Sequence, residues 1–76
     1  MPDGLIESRP EVMMGKPVIK GTRITVELIL EMLASGLSHA ELMDEYPELS
    51  KDAIRAALAF GAKALRADVM YPTPAA

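Results

Sequence analysis

The sequence predicts a mainly α protein: a three-helix bundle carrying a helix-turn-helix, preceded by a short N-terminal β arm or hairpin. Three observations predict it. Apolar residues recur at helical spacing from Val26 onward, and a serine or threonine suited to capping (Thr25, Ser38, Ser50) opens each such stretch. Before Ile24 the apolar residues come instead in short pieces broken by proline and glycine.

The N-terminal pieces are Leu5 with Ile6 and Val18 with Ile19, separated by Pro10, Gly15 and Pro17; Arg23 with Ile24 is a candidate third piece. Between the last two lies Lys20-Gly21, where Gly21 supplies the positive φ that a tight structural turn needs. The first helix is expected over about 26–35, with Val26, Ile29, Leu30, Leu33 and Leu37 on one face and Glu27 and Glu31 on the other. Thr25 suits its N-cap, Ile24 can staple onto Ile29, and Gly36 ends it in the left-handed conformation of a Schellman motif.

Ser38 with Glu41 forms a capping box for a short second helix over about 39–45, which Pro47 ends by biasing Tyr46 away from helix. Ser50 caps a long third helix over about 51–68. The chain therefore divides into an extended arm or hairpin over 1–25, a helix-turn-helix domain over 26–69 and a proline-rich tail over 70–76, within a single domain.

The third helix carries two apolar stripes. Ile54, Leu58, Gly61 and Leu65 make one, sufficient to cover the first two helices; Ala53, Ala57, Phe60, Ala64 and Ala67 make a second beside it. Small residues with one aromatic suit the close approach of another helix, so this second stripe is the expected homodimer interface, the alternative being a wide buried face in a monomer.

Composition narrows the function. A chain of 76 residues builds a small core, which favours a partner or self-association. The absence of cysteine excludes disulfides, thiolate metal sites and thiol catalysis. No apolar run approaches the ~20 residues of a membrane span and the first ten residues lack the pattern of a secretory leader, so a cytoplasmic protein is expected. The net charge of −3 argues mildly against non-specific nucleic-acid binding, but it is segregated: residues 9–26 carry +3, residues 27–48 carry −6 and residues 49–76 carry +2.

No motif for catalysis emerges. The stretch GKPVIKGT fails as a phosphate loop, because Pro17 has no amide to donate and Lys20 precedes Gly21 rather than following it. His39 is the lone histidine, and Glu41, Asp44, Glu45 and Glu48 read as a solvated face rather than a cation site, which needs oxygens from several segments. The expectation is no enzyme, no cofactor, no metal and no small-molecule substrate. A helix-turn-helix places the front of its second helix in the DNA major groove. That makes Lys51 and Arg55 groove-facing candidates, with Lys16, Lys20 and Arg23 as phosphate contacts from the arm.

Residues 15–60 also closely resemble the prokaryotic family called domain of unknown function four hundred and thirty-three. They share its Gly-Lys-Pro-x-Ile-x-Gly-Thr-Arg-Ile signature and its Gly-x-Ser, Tyr-Pro-x-Leu and Ala-Leu-x-Phe landmarks. The resemblance implies a homeodomain-like fold and an antitoxin-like role beside a PIN-like ribonuclease toxin; it brings no set of functional residues. Together the readings give a dimeric antitoxin-like protein that binds a PIN-like toxin and, as a repressor, operator DNA. The alternative is a protein-interaction module that binds a partner without touching DNA, as the acidic second helix favours.

Overall fold

A computed structural model describes residues 3–68, with side chains from Gly4 to Arg66; the tail expected over 70–76 lies outside the described residues. Two short strands, β1 (Ile6–Glu7) and β2 (Val18–Ile19), pair antiparallel with Ile6 opposite Ile19 and Glu7 opposite Val18. Three helices follow: α1 (Val26–Ala34), α2 (His39–Glu45) and α3 (Lys51–Asp68). The molecule is thus mainly helical with an N-terminal hairpin.

The third apolar piece does not become a strand, but it folds back on β2. Val18 and Thr25 form an isolated antiparallel bridge, and the Ile19 amide donates to the Ile24 carbonyl at 2.9 Å. Between them the Thr22 amide closes a tight turn on the Ile19 carbonyl at 2.9 Å, and Gly21 sits at a φ of 78° in the third position of that turn. The Thr22 hydroxyl donates to the Ile19 carbonyl and accepts from the Ile24 amide, while a Glu7 carboxylate oxygen accepts the Gly21 amide at 3.0 Å. The turn is therefore tied both to β1 and to the start of α1.

Each helix is bounded by groups close to it in sequence. Thr25 caps α1 by accepting the Leu28 amide at 3.0 Å, and Ile24 and Ile29 on either side of that cap are both buried in one core. At the other end the Leu37 amide donates to Met32 and the Gly36 amide to Leu33, the two bonds of a Schellman motif, with Gly36 at a φ of 108°. Ser38 and Glu41 satisfy one another's backbone amides at 3.0 and 2.8 Å, completing the capping box of α2. Tyr46, ahead of Pro47, leaves the helix at φ −127° and ψ 90°, and the Leu49 amide closes the connecting turn on its carbonyl. Ser50 then accepts the Ala53 amide and starts α3.

The core lies where the three helices and the hairpin meet, around the fully buried Val18, Ile29, Leu42 and Ile54. Here the structure differs from the sequence reading of α3. Ala53 and Ala57, from the small-residue stripe, are buried in this chain's own core, and Phe60 packs against it. Leu58 and Leu65, from the stripe expected to face inward, are 39% and 55% exposed. Small residues allow helices to pack closely, and at Gly61, which borders the alanine stripe, an added Cβ would lie 2.9 Å from a Leu30 methyl group of α1. Of the three aliphatic residues in the other stripe, only Ile54 is fully buried, and the glycine of that stripe, Gly61, is half-buried.

Gly21 has open space around the position of a Cβ, so backbone conformation alone limits substitution there. Gly21→Val is expected to destabilise the fold by about 1–3 kcal/mol, and Gly21→Asn by clearly less, because asparagine tolerates the left-handed region. Urea unfolding of the two variants decides it; equal losses would remove the strained turn from the account.

Candidate functional site

The basic residues occupy two places. Lys16, Lys20 and Arg23 are exposed along the arm, and Lys51 and Arg55 are exposed one turn apart at the front of α3. The arm is not a uniformly positive edge. Lys16 Nζ lies 3.2 Å from Glu27 Oε1, and Arg9 Nε lies 3.5 Å from Glu7 Oε2. Arg23 shares a shallow concavity of about 280 Å³ with Lys16, Met13, Glu27 and Glu31. The acidic residues of α1 thus stand beside the bases of the arm, and an approaching phosphate would meet both signs of charge. Lys51 and Arg55 form no ion pair among the described residues, although Asp52 and Glu48 are near them in sequence.

A second feature is apolar. Between α1 and the C-terminal half of α3 runs an open groove of about 400 Å³, with Pro17, Leu30, Phe60, Gly61, Ala64 and Leu65 among its walls and Lys16, Glu27 and Glu31 at its edge. Every residue from Ala62 to Arg66 is exposed. Of the stripe read as a dimer interface, Ala53 and Ala57 are therefore inside the chain, Phe60 and Ala64 line the groove, and the Ala67 side chain lies outside those described. Leu30 and Leu65 were not singled out from the sequence for this surface. The lengths of the helices held the signal, since a nine-residue α1 cannot cover an eighteen-residue α3.

The loop between β1 and β2 holds another feature that the sequence reading missed. Met13, Met14 and Gly15 have successive φ values of 49°, 58° and 83°, a left-handed turn in which two bulky residues take a conformation that favours glycine. Met14 is 92% exposed and packs on nothing. Elsewhere, Glu41, Asp44, Glu45 and Glu48 are all exposed, and among the described residues no three acidic or histidine side chains converge to hold a metal ion. No helix among them is long and apolar enough to cross a membrane.

A family model described as "Protein of unknown function (DUF433)" matches residues 6–61. The chain belongs to the DUF433 family. The match runs from the first strand to Gly61, so it takes in the hairpin, α1, α2 and α3 up to the point where burial ends. The chain is 32% identical over 53 residues to the uncharacterized protein y4eO of Sinorhizobium fredii, covering 70% of this chain but only 24% of that protein. A crystal structure of a DUF433 member from Anabaena variabilis superposes with a TM-score of 0.77 at 27% identity, covering 83% of this chain and 62% of that one. This DUF433 chain thus spans about a quarter of the length of the curated relative and less than two thirds of the structural one.

Since Met14 buries almost nothing, its left-handed backbone governs the effect of replacing it. Met14→Gly is expected to raise stability by about 0.5–1 kcal/mol, the relief of strain exceeding the entropy that glycine gains in the unfolded chain. A lower urea midpoint for the variant would contradict this.

Proposed function

We propose that this DUF433 chain is an antitoxin-like binding protein of the cytoplasm, with no catalytic role, that holds a PIN-like ribonuclease toxin and, as a dimer, binds operator DNA. One observation carries the DNA half: Lys51 and Arg55 stand one turn apart, exposed, at the front of a helix that follows a short helix and a tight turn. Those are the positions from which such a helix reads base edges. The toxin half rests on the family resemblance.

A second reading is favoured by the arm. Because Lys16 is paired with Glu27 and Arg23 shares its concavity with two glutamates, the arm is better suited to a partner of mixed charge than to a phosphate backbone. In this reading the chain is a protein-interaction module that does not touch DNA.

A gel shift on the DNA upstream of the gene, run over a salt series beside a pull-down of the product encoded next to it, separates the two. For the repressor reading, binding weakens as salt rises, Arg55→Ala reduces discrimination between sequences by about 1–3 kcal/mol, and Lys20→Ala and Arg23→Ala each flatten the salt slope by about one unit. No shift at low salt, with the neighbouring product retained, would replace that reading by the interaction module.

A further inference from the structure

We infer that the groove between α1 and the C-terminal half of α3 receives the same stretch of α3 from a second copy of this chain, so that two copies pair about a two-fold axis. The inference supplies the interface for the dimer of the proposed function and rests on that reading for its biological purpose. The structural argument is separate. Ridge and groove belong to the same surface: half-buried Phe60 and Gly61 wall the groove, and Ala64 and Leu65, which line it too, are exposed on the last turns. A patch built in this way is complementary to itself, and an isologous contact seats each ridge in the other copy's groove.

Size and charge both point to this occupant. Ala64 carries a small, exposed side chain on the wall, which lets a second helix backbone come close, while Leu65, at 55% exposure, stands beside it as the residue to be buried. The groove edge on α1 is acidic: Glu27 is already paired with Lys16, whereas Glu31 makes no ion pair among the described residues. Lys63 follows Phe60 by three residues, on the neighbouring flank of α3, and is likewise exposed and without an ion pair among the described residues. With Leu65 seated in the partner's groove, Lys63 is the base that the pairing offers to Glu31 of the other copy. An acidic helix in the occupant would meet Glu27 and Glu31 as like charges, so α2 does not fit.

Sedimentation equilibrium on the full chain tests the inference. The unmodified protein is expected to be a dimer. Ala64→Glu, at an exposed position outside the core, is expected to leave the circular dichroism unchanged and to weaken self-association at least about thirtyfold, because it buries an unpaired charge in the seam. Glu31→Lys and Lys63→Glu are each expected to weaken the dimer, and the double variant to recover it. A monomer at every concentration, or a dimer indifferent to Ala64→Glu, overturns the inference. So does a monomer whose hold on the neighbouring gene product is lost in Ala64→Glu, since the groove then belongs to that partner. A dimer broken by Ala64→Glu that binds neither DNA nor the neighbouring product upholds the interface and removes the antitoxin-like reading.

Discussion

The close seating of α3 on α1 is the constraint on which the rest of the fold depends. Ala53 and Ala57 present almost no side chain to the interface, and Gly61 presents none, with Leu30 where a Cβ would go. Ile29, Leu42 and Ile54 are fully buried in the one core that the three helices share. The hairpin contributes by fixing where α1 begins: Ile19 and Ile24 are joined through the Gly21 turn, and the residue after Ile24 is the cap of the helix. Sequence-local bonds thus place α1, and the small face of α3 then determines how the bundle closes.

The same constraint divides the surface. α1 is about 14 Å long and α3 about 27 Å, so one covers only half of the other. The front of α3 is buried on its small face and shows Lys51 and Arg55 outward; the rear is exposed from Ala62 to Arg66. One helix therefore serves three surfaces: the core, a basic front and an apolar groove. The family match ends at Gly61, the last residue before full exposure begins, which is consistent with the shared fold ending where the bundle does.

Much of the architecture was legible because its determinants are local. Ser38 with Glu41, Thr25 with Leu28, Ser50 with Ala53 and the Gly36 ending all act within a few residues, and the three helices lie where those signals put them. The apolar pieces of the arm were legible too, but not their register, which depends on pairing across ten intervening residues. Choosing between the two stripes of α3 was beyond the sequence, since both have helical spacing and the choice turns on the distance to another helix. The Lys16–Glu27 pair escaped for a related reason: it joins residues that a count by segment assigns to opposite blocks. Nothing in Met13-Met14 signals a left-handed turn, because methionine, unlike asparagine, has no preference for that conformation. Gly15, at the end of the turn, was the sole visible cue.

The central claim is that α3 has an inner half satisfied by its own chain and an outer half satisfied by a second copy. Amide hydrogen exchange along α3, measured over a dilution series, tests that most directly. Protection over residues 53–57 should be independent of protein concentration, being set by the core, whereas protection over residues 60–66 should fall on dilution as the copies separate. Protection over 60–66 that does not change with concentration would contradict the claim and place the outer half of the helix under the control of its own chain alone.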